Sequence, residues 1–435
     1  MAEIRPFRGV YYNKEKTGDI ANVICPPYDI ISPQMDEDLH NGSPYNFIRI
    51  EYNRLQENDS ESNNRYTRSS ALFREWLDKE IMLTDSTPAI YVHDQFFTLN
   101  GKEYKRRSLI VRVRLEEWEQ NIIRPHEYTF KGPKKDRISL LWALNANTSS
   151  VMSMYEDKDS KISSFLEKAD SGEFLIETKE SGGERHNVWT ITDPKEVKEF
   201  CSLFNDKPLY IADGHHRYES ALTYKKERSA CDQNTDPEAP YNFVMMTIMD
   251  MDDPNLIIFP THRLLHSMEP EITENIKEKL ALYFDIKDFS LDDADLWQVI
   301  DNKMSDEKSL RLAVIGLEPG FASLLTLKNW DAAIAMMPAQ RSDVYKKMDV
   351  SIVDHIILEK ILKIPSDDEK RIAYTHERQE AVNRVLSGEC QLAIITNMVK
   401  GQTIKDIADV KDRMPRKSTY FYPKLPSGLI VNHIV

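Results

Sequence analysis

Residues 208–221 read Pro-Leu-Tyr-Ile-Ala-Asp-Gly-His-His-Arg-Tyr-Glu-Ser-Ala, and they constrain the fold more than any other stretch. Residues 209–212 are apolar and short enough to be a buried strand. From Arg217 onward Tyr218, Ala221, Leu222 and Tyr224 keep a helical spacing. A strand therefore runs straight into a helix, with Asp213, Gly214, His215, His216 and Arg217 at the junction. The first N–H groups of a helix lack backbone partners and carry partial positive charge, so such a junction favours an anion. Gly214 lets the backbone approach that anion, and Arg217 can grip phosphate oxygens in a fork. Asp213 or a histidine can move a proton or help to hold a metal. Asp as an N-cap and Gly as a turn residue are common without any chemistry. Two adjacent histidines between Asp and Arg are harder to justify as structure alone. The junction reads as a site for phosphate or a similarly charged group.

Bulk properties narrow the setting. A chain of 435 residues is long enough for two or three cores. Composition suggests four regions: an N-terminal α/β region with a hairpin over 1–150, the core bearing the junction over 151–265, a structural α/β region over 266–340, and a C-terminal helical region over 341–435. The net charge of -14 disfavours nucleic acid and anionic membrane as main partners. Cys25, Cys201, Cys231 and Cys390 form no C-x-x-C pair, so neither a zinc knuckle nor a disulfide framework is expected. With no signal peptide pattern and no apolar run of membrane-spanning length, a cytoplasmic protein is expected.

Local signals are clearest at Asn100-Gly101, the preferred dipeptide of a two-residue hairpin, between alternating stretches at 89–99 and 102–115. Asp193-Pro194-Lys195-Glu196 resembles an N-cap followed by Pro at the first helical position. Residues 46–50 suggest a strand, 229–240 a loop, and Ile352, Ile356, Ile357 and Ile361 a helix. The fold class expected is mixed α/β.

Two further constellations carry chemistry. Arg124-Pro125-His126-Glu127 precedes Lys135 and Arg137, which sets a carboxylate and a histidine among cations, as a general base near phosphate would need. Its bland alternative is a solvated loop of mixed charge. Arg416-Lys417-Ser418-Thr419 followed by Tyr420, Phe421, Tyr422 and Lys424 mixes cations, hydroxyls and rigid aromatics, a blend suited to a small anionic ligand. Arg5 and Arg8 are weaker candidates. No G-x-x-x-x-G-K-[ST] loop, G-x-G-x-x-G turn or G-x-S-x-G elbow occurs, which leaves P-loop kinases, Rossmann dehydrogenases and α/β-hydrolases unsupported. Adjacent His215 and His216 cannot both face one way on a helix, so a H-E-x-x-H zinc site is excluded.

RPFRG, CPPYDII, RPHE, DGHHRYESA and MPRKSTYFYPKLPSGL together resemble a bacterial and archaeal family catalogued as a domain of unknown function, over nearly the whole chain. The DGHHR segment is similar to the core motif of the ParB/sulfiredoxin superfamily, whose members include free-serine kinases, CTP-dependent partition proteins and sulfinic-acid reductases. What this resemblance implies is a ParB/sulfiredoxin-like core and a kinase that phosphorylates free L-serine, with pyrophosphate, ATP or ADP as donor. It implies that Asp213, His215, His216 and Arg217 hold the transferred phosphoryl group and its Mg²⁺, with Asp213 as metal ligand and Gly214 giving the backbone approach. Glu127 is the expected base, His126 the second choice. Arg124, Lys135, Arg137, Lys417 and Lys424 are the expected cations. Arg5, Arg8, Glu219, Ser418, Thr419 and Tyr422 complete the candidate substrate set. The competing readings are a nucleotide-binding regulatory module and a phosphohydrolase acting on phosphoserine.

Overall fold

The computed structural model describes residues 1–129, 131–169, 173–233, 236–306 and 308–434. The chain divides into two units, Met1–Ile257 with Pro423–Val435, and Ile258–Tyr422.

Among the described residues the first unit is organised on a nine-stranded sheet, beside a smaller four-stranded one: β1 (Ile4–Arg5), β2 (Ile90–Leu99), β3 (Lys102–Arg114), β4 (Ile123–Arg124), β5 (Val151–Tyr155), β6 (Ile176–Glu177), β7 (Glu184–Ile191), β8 (Leu209–Asp213) and β9 (Phe243–Asp250) form the larger. Their order is β4-β8-β5-β9-β3-β2-β7-β6, with β1 beside β3. Asn100 and Gly101 join β2 to β3 with φ of 51° and 75°, the positive values that a two-residue hairpin turn demands. β8 runs parallel to β4 and antiparallel to β5, where the register shifts between Ile211 and Asp213. That irregularity lies at the end of the strand that carries the DGHHR turn, and such irregularities re-aim side chains.

Three helices matter for the site: α1 (Lys131–Leu144), α2 (Pro194–Ser202) and α3 (His215–Asp232). Asp193 caps α2 by accepting from the N–H groups of Lys195 and Glu196, as its sequence suggests. One face of the sheet packs Tyr91, Ile110, Val188 and Met245 with Leu140 and Leu144 of α1. The other packs Val92, Leu109 and Val111 with Phe200 of α2 and Tyr218 and Leu222 of α3. Burying both faces is what places α1 and α3 where strand β8 ends.

The second unit has a six-stranded antiparallel sheet in the order Phe284–Ser290, Phe321–Leu327, Arg311–Ile315, Leu392–Ile395, His262–Leu265, Ile372–Thr375. The mixed α/β class is as expected. Three local expectations differ. Residues 46–50 are not a strand: Ile48–Glu51 is helical, and Asn46 accepts from the Ile48 N–H at 3.0 Å, a side-chain turn that extended backbone would not permit. The loop expected over 229–240 starts later, because α3 continues through Asp232; residues 234 and 235 lie outside the described residues. The isoleucine helix after residue 352 takes π geometry over Val353–Ile361. Among the described residues no helix is long and apolar enough to cross a membrane.

Candidate phosphate-handling site

Strand β8 delivers Asp213, and Gly214 turns the chain into α3. Gly214 has φ 90°, in the left-handed region, and a Cβ built on it would stand 2.8 Å from Arg217 Nε. Only glycine meets both demands without strain. Arg217 consequently folds back over the turn, with Nη2 donating to Asp213 Oδ2 at 3.0 Å and Nη1 donating to the Ser150 carbonyl. Lys424 comes from the far end of the chain and sets Nζ 3.4 Å from Asp213 Oδ1. Both carboxylate oxygens of Asp213 thus face cations. Burial alone would raise its carboxyl, but Lys424 and then Arg217 outweigh burial and hold it well below the usual carboxylate range.

The histidines form a second layer. His126 and His215 are buried and meet edge to face with ring centroids 4.7 Å apart. His126 Nδ1 lies 2.7 Å from the Ile211 carbonyl, so that nitrogen carries the proton. The His126 N–H donates to His215 Nε2 at 3.2 Å, so that atom presents a lone pair and the His215 proton sits on Nδ1. Lys424 and Arg217 act most strongly on Asp213, and His215 adds a smaller pull in the same direction. His216, at the second helical position, and Glu127, directly after His126, are partly exposed. Glu219 accepts from Thr129 Oγ1 and pairs with Lys134 Nζ at 3.5 Å, which ties α3 to the start of α1.

The other expected cations fall into different places. Arg124 donates to the Asn121 carbonyl at 3.0 Å and to the Tyr210 hydroxyl at 2.9 Å. Arg137 is buried, donates to Glu51 Oε1 at 2.9 Å and Asp136 Oδ2 at 2.8 Å, and lies 4.0 Å over the Tyr28 ring. Arg137 and Arg217 nevertheless line one small cleft with Thr148, Ser149 and Ser220. Glu51 bonds Arg137 and Ser149 of this cleft through Oε1, and its buried Oε2 has no hydrogen-bond partner among the described residues. Lys135 is exposed on α1. Arg5 pairs with Glu3 at 2.5 Å, and Arg8 Nε donates to the Asp85 carbonyl at 2.6 Å. Lys417, Ser418, Thr419 and Tyr422 belong to the second unit, where Ser418 is buried and bonds the Pro415 carbonyl at 2.6 Å.

The residues fit a protein-built metal cage poorly. Both oxygens of Asp213 are engaged by cations, and among the described residues no group of three or more His, Cys, Asp or Glu is placed to hold a metal ion. Sequence reasoning missed Ser150, Thr129, Gln95 and Arg106. Gln95 and Arg106 had a signal: they are polar on the same face of their strands as Tyr91 and Ile110.

No curated protein matches the chain. Among solved structures it is similar to a free serine kinase in complex with AMP, at 11% identity and TM-score 0.34 over 72% of this chain and 86% of that one. A conserved hypothetical protein from Pyrococcus furiosus gives 12% identity and TM-score 0.34 over 74% and 95% of the two chains. SbnI with C-terminal truncation from Staphylococcus aureus gives 9% identity and TM-score 0.35 over 74% and 87%. Likeness at these values bears no weight for activity. The family described as "Protein of unknown function (DUF1015)" matches residues 4–351, most of the chain, and the protein belongs to that family.

Proposed function

We propose that the chain is a phosphotransferase that moves a phosphoryl group from pyrophosphate or a nucleotide to the hydroxyl of free L-serine. The observation that carries this reading is the convergence of Arg217 and Lys424 on Asp213 at the glycine-opened N-terminus of α3. Phosphoryl transfer needs positioning and dense positive charge around the equatorial oxygens more than covalent chemistry. A donor phosphate at this turn would meet the first N–H groups of α3, the Arg217 fork and the Lys424 ammonium. Asp213 keeps those two cations aimed at one place. Glu127 is the base that takes the serine hydroxyl proton, and it follows His126, whose ring is locked on the Ile211 carbonyl. Mg²⁺ is assigned to the phosphate oxygens of the donor, the usual way in which this ion enters phosphoryl-transfer sites.

Phosphorus NMR on the full chain with Mg²⁺ and L-serine, supplied in turn with ATP, ADP and pyrophosphate, tests the reading. A phosphomonoester signal of O-phosphoserine with one donor is expected. Release of orthophosphate alone would replace the kinase by a phosphohydrolase, and inert mixtures with every donor would overturn both.

A further inference from the structure

The hairpin β2–β3 and strand β7 bury a polar patch where packing alone would favour aliphatic side chains. On one face Tyr91 stands opposite Ile110, as an ordinary core pair. The next pairs along are His93 with Ser108 and Gln95 with Arg106, and β7 adds His186 opposite Gln95. Arg106 is 1% exposed and Gln95 is fully buried. A guanidinium in such a place is unfavourable unless its donors are met. Arg106 Nη2 donates to Gln95 Oε1 at 2.5 Å and to the Pro423 carbonyl at 2.7 Å. Gln95 Nε2 donates to Glu184 Oε2 at 2.6 Å and to the Lys424 carbonyl at 3.3 Å. Two consecutive backbone carbonyls are thereby held by one buried amide–guanidinium pair. They belong to the first two residues of the first unit after the chain returns from the second.

We propose that Arg106 and Gln95 are positioning residues of the candidate site: they clamp the Pro423–Lys424 backbone and so fix the Lys424 ammonium against Asp213. The geometry stands on its own; its consequence for catalysis rests on the phosphotransferase reading. A lysine has a long flexible stem, so it brings charge to a fixed point only as well as its backbone is held. Residues 423 and 424 belong to no strand or helix, so no ladder holds them. A hydrophobic clamp could not grip their carbonyls; a buried donor pair can. Burial pushes the Arg106 guanidinium down to about 10, which leaves it cationic at neutral pH. The clamp also explains why a sheet face with an apolar core on both sides carries an arginine at all.

The test follows the Asp213 carboxyl by carbon NMR in the full-length protein labelled at aspartate, the resonance being assigned by its loss in Asp213→Asn. No substrate is needed. Lys424→Met is expected to move the Asp213 midpoint up toward the ordinary carboxylate range, because one of its two cations is gone. Arg106→Met is expected to move it the same way, and the Arg106→Met/Lys424→Met double variant no further than Lys424→Met alone. Gln95→Leu, which keeps Arg106, should shift the midpoint in the same direction by less, and it carries the test if Arg106→Met does not fold. Arg106→Lys should recover part of the shift. An Asp213 midpoint unmoved by Gln95→Leu and Arg106→Met, or a double variant with additive shifts, would overturn the clamp and leave these residues a structural role. If the shifts appear while no donor phosphorylates serine, the clamp stands and the functional reading falls.

Discussion

Asp213 in the first unit and Asp354 in the second are both carboxylates beside an arginine, the first partly exposed and the second buried, and they respond in opposite directions. Asp354 lies in the π-helical stretch Val353–Ile361, with Oδ1 3.5 Å from Arg263 Nη2. Burial pushes its carboxyl up to about 6, and Arg263 only partly opposes this. The reason is that Arg263 is shared: it donates to the Thr261 carbonyl at 2.6 Å and to those of Lys417 and Arg416 at 3.2 Å. Asp213 has two cations aimed at its two oxygens and is held down. A buried acid beside an arginine is therefore no mark of a site by itself; what marks Asp213 is that its cations converge at the mouth of a helix. Arg263 resembles Arg106 more than Arg217, since each is a wholly buried arginine that grips backbone carbonyls of the run from Arg416 to Lys424.

The largest expected effect separates the two aspartates by activity. Asp213→Ala leaves Arg217 and Lys424 without their common partner and should lower O-phosphoserine formation by about 10³-fold. Asp354→Asn should leave turnover as it is. Steady-state rates of both variants with the donor identified by phosphorus NMR decide the matter; equal losses would erase the distinction between a charged centre and a structural acid.

What made Asp213 legible in the sequence was local. An apolar strand, a glycine and an amphipathic helix are signals spread over a dozen neighbouring residues, and the Asn100-Gly101 hairpin is equally local. Lys424 was legible as a cation in an aromatic run, but its partner is set by tertiary packing, which periodicity does not encode. Arg137 looked like Lys135 in sequence; one is buried on Glu51 and Asp136, the other lies in water. The strand expected over residues 46–50 failed because one asparagine side chain competes for the backbone there. Gln95 and Arg106 passed as ordinary alternation, since the clamp they form is with residues at the other end of the chain.

Acid sharpens the comparison with a smaller effect, in free energy. His186 of the first unit is held down to about 4, first by burial and then by Arg106, and His93 moves the same way. A histidine lowered from 6.5 binds its proton more readily when unfolded. Its stabilisation is thus fully present above pH 6.5 and lost as pH falls toward 4, about 3 kcal/mol for His186 at about 1.4 kcal/mol per pH unit. Asp354, raised from 3.8 to about 6, has the opposite sign: its neutral form stabilises below pH 4, and this is lost as pH rises through 6, again about 3 kcal/mol. Urea unfolding between pH 4 and pH 7.5 should show a flatter acid limb in His186→Gln and a steeper one in Asp354→Asn. Changes of the same sign in both would refute the assignment of opposite roles to the two units.

The smallest effect on stability concerns two glycines, one in each unit. Gly214 has φ 90° with Arg217 Nε 2.8 Å from a built Cβ, and Gly316 has φ 101° with the Gln391 carbonyl oxygen at 2.3 Å from its own. Either alanine forces a left-handed L-residue, an intrinsic strain of about 1–2 kcal/mol. The obstacles differ in kind. At Gly214 the crowded atoms are the end of a flexible side chain, so the fold can yield by displacing Arg217 from Asp213. At Gly316 they are backbone, which cannot move without disturbing the strand that follows Gln391. Gly214→Ala should therefore melt only slightly below the wild type yet lose phosphoryl transfer and donor affinity. Gly316→Ala should melt lower and keep the turnover of whatever fraction stays folded. Thermal melts and donor titrations on the same two samples separate the cases. If Gly214→Ala binds and transfers as before, Arg217 has found its place without the turn, and the convergence of charge at Asp213 would owe nothing to the glycine that opens it.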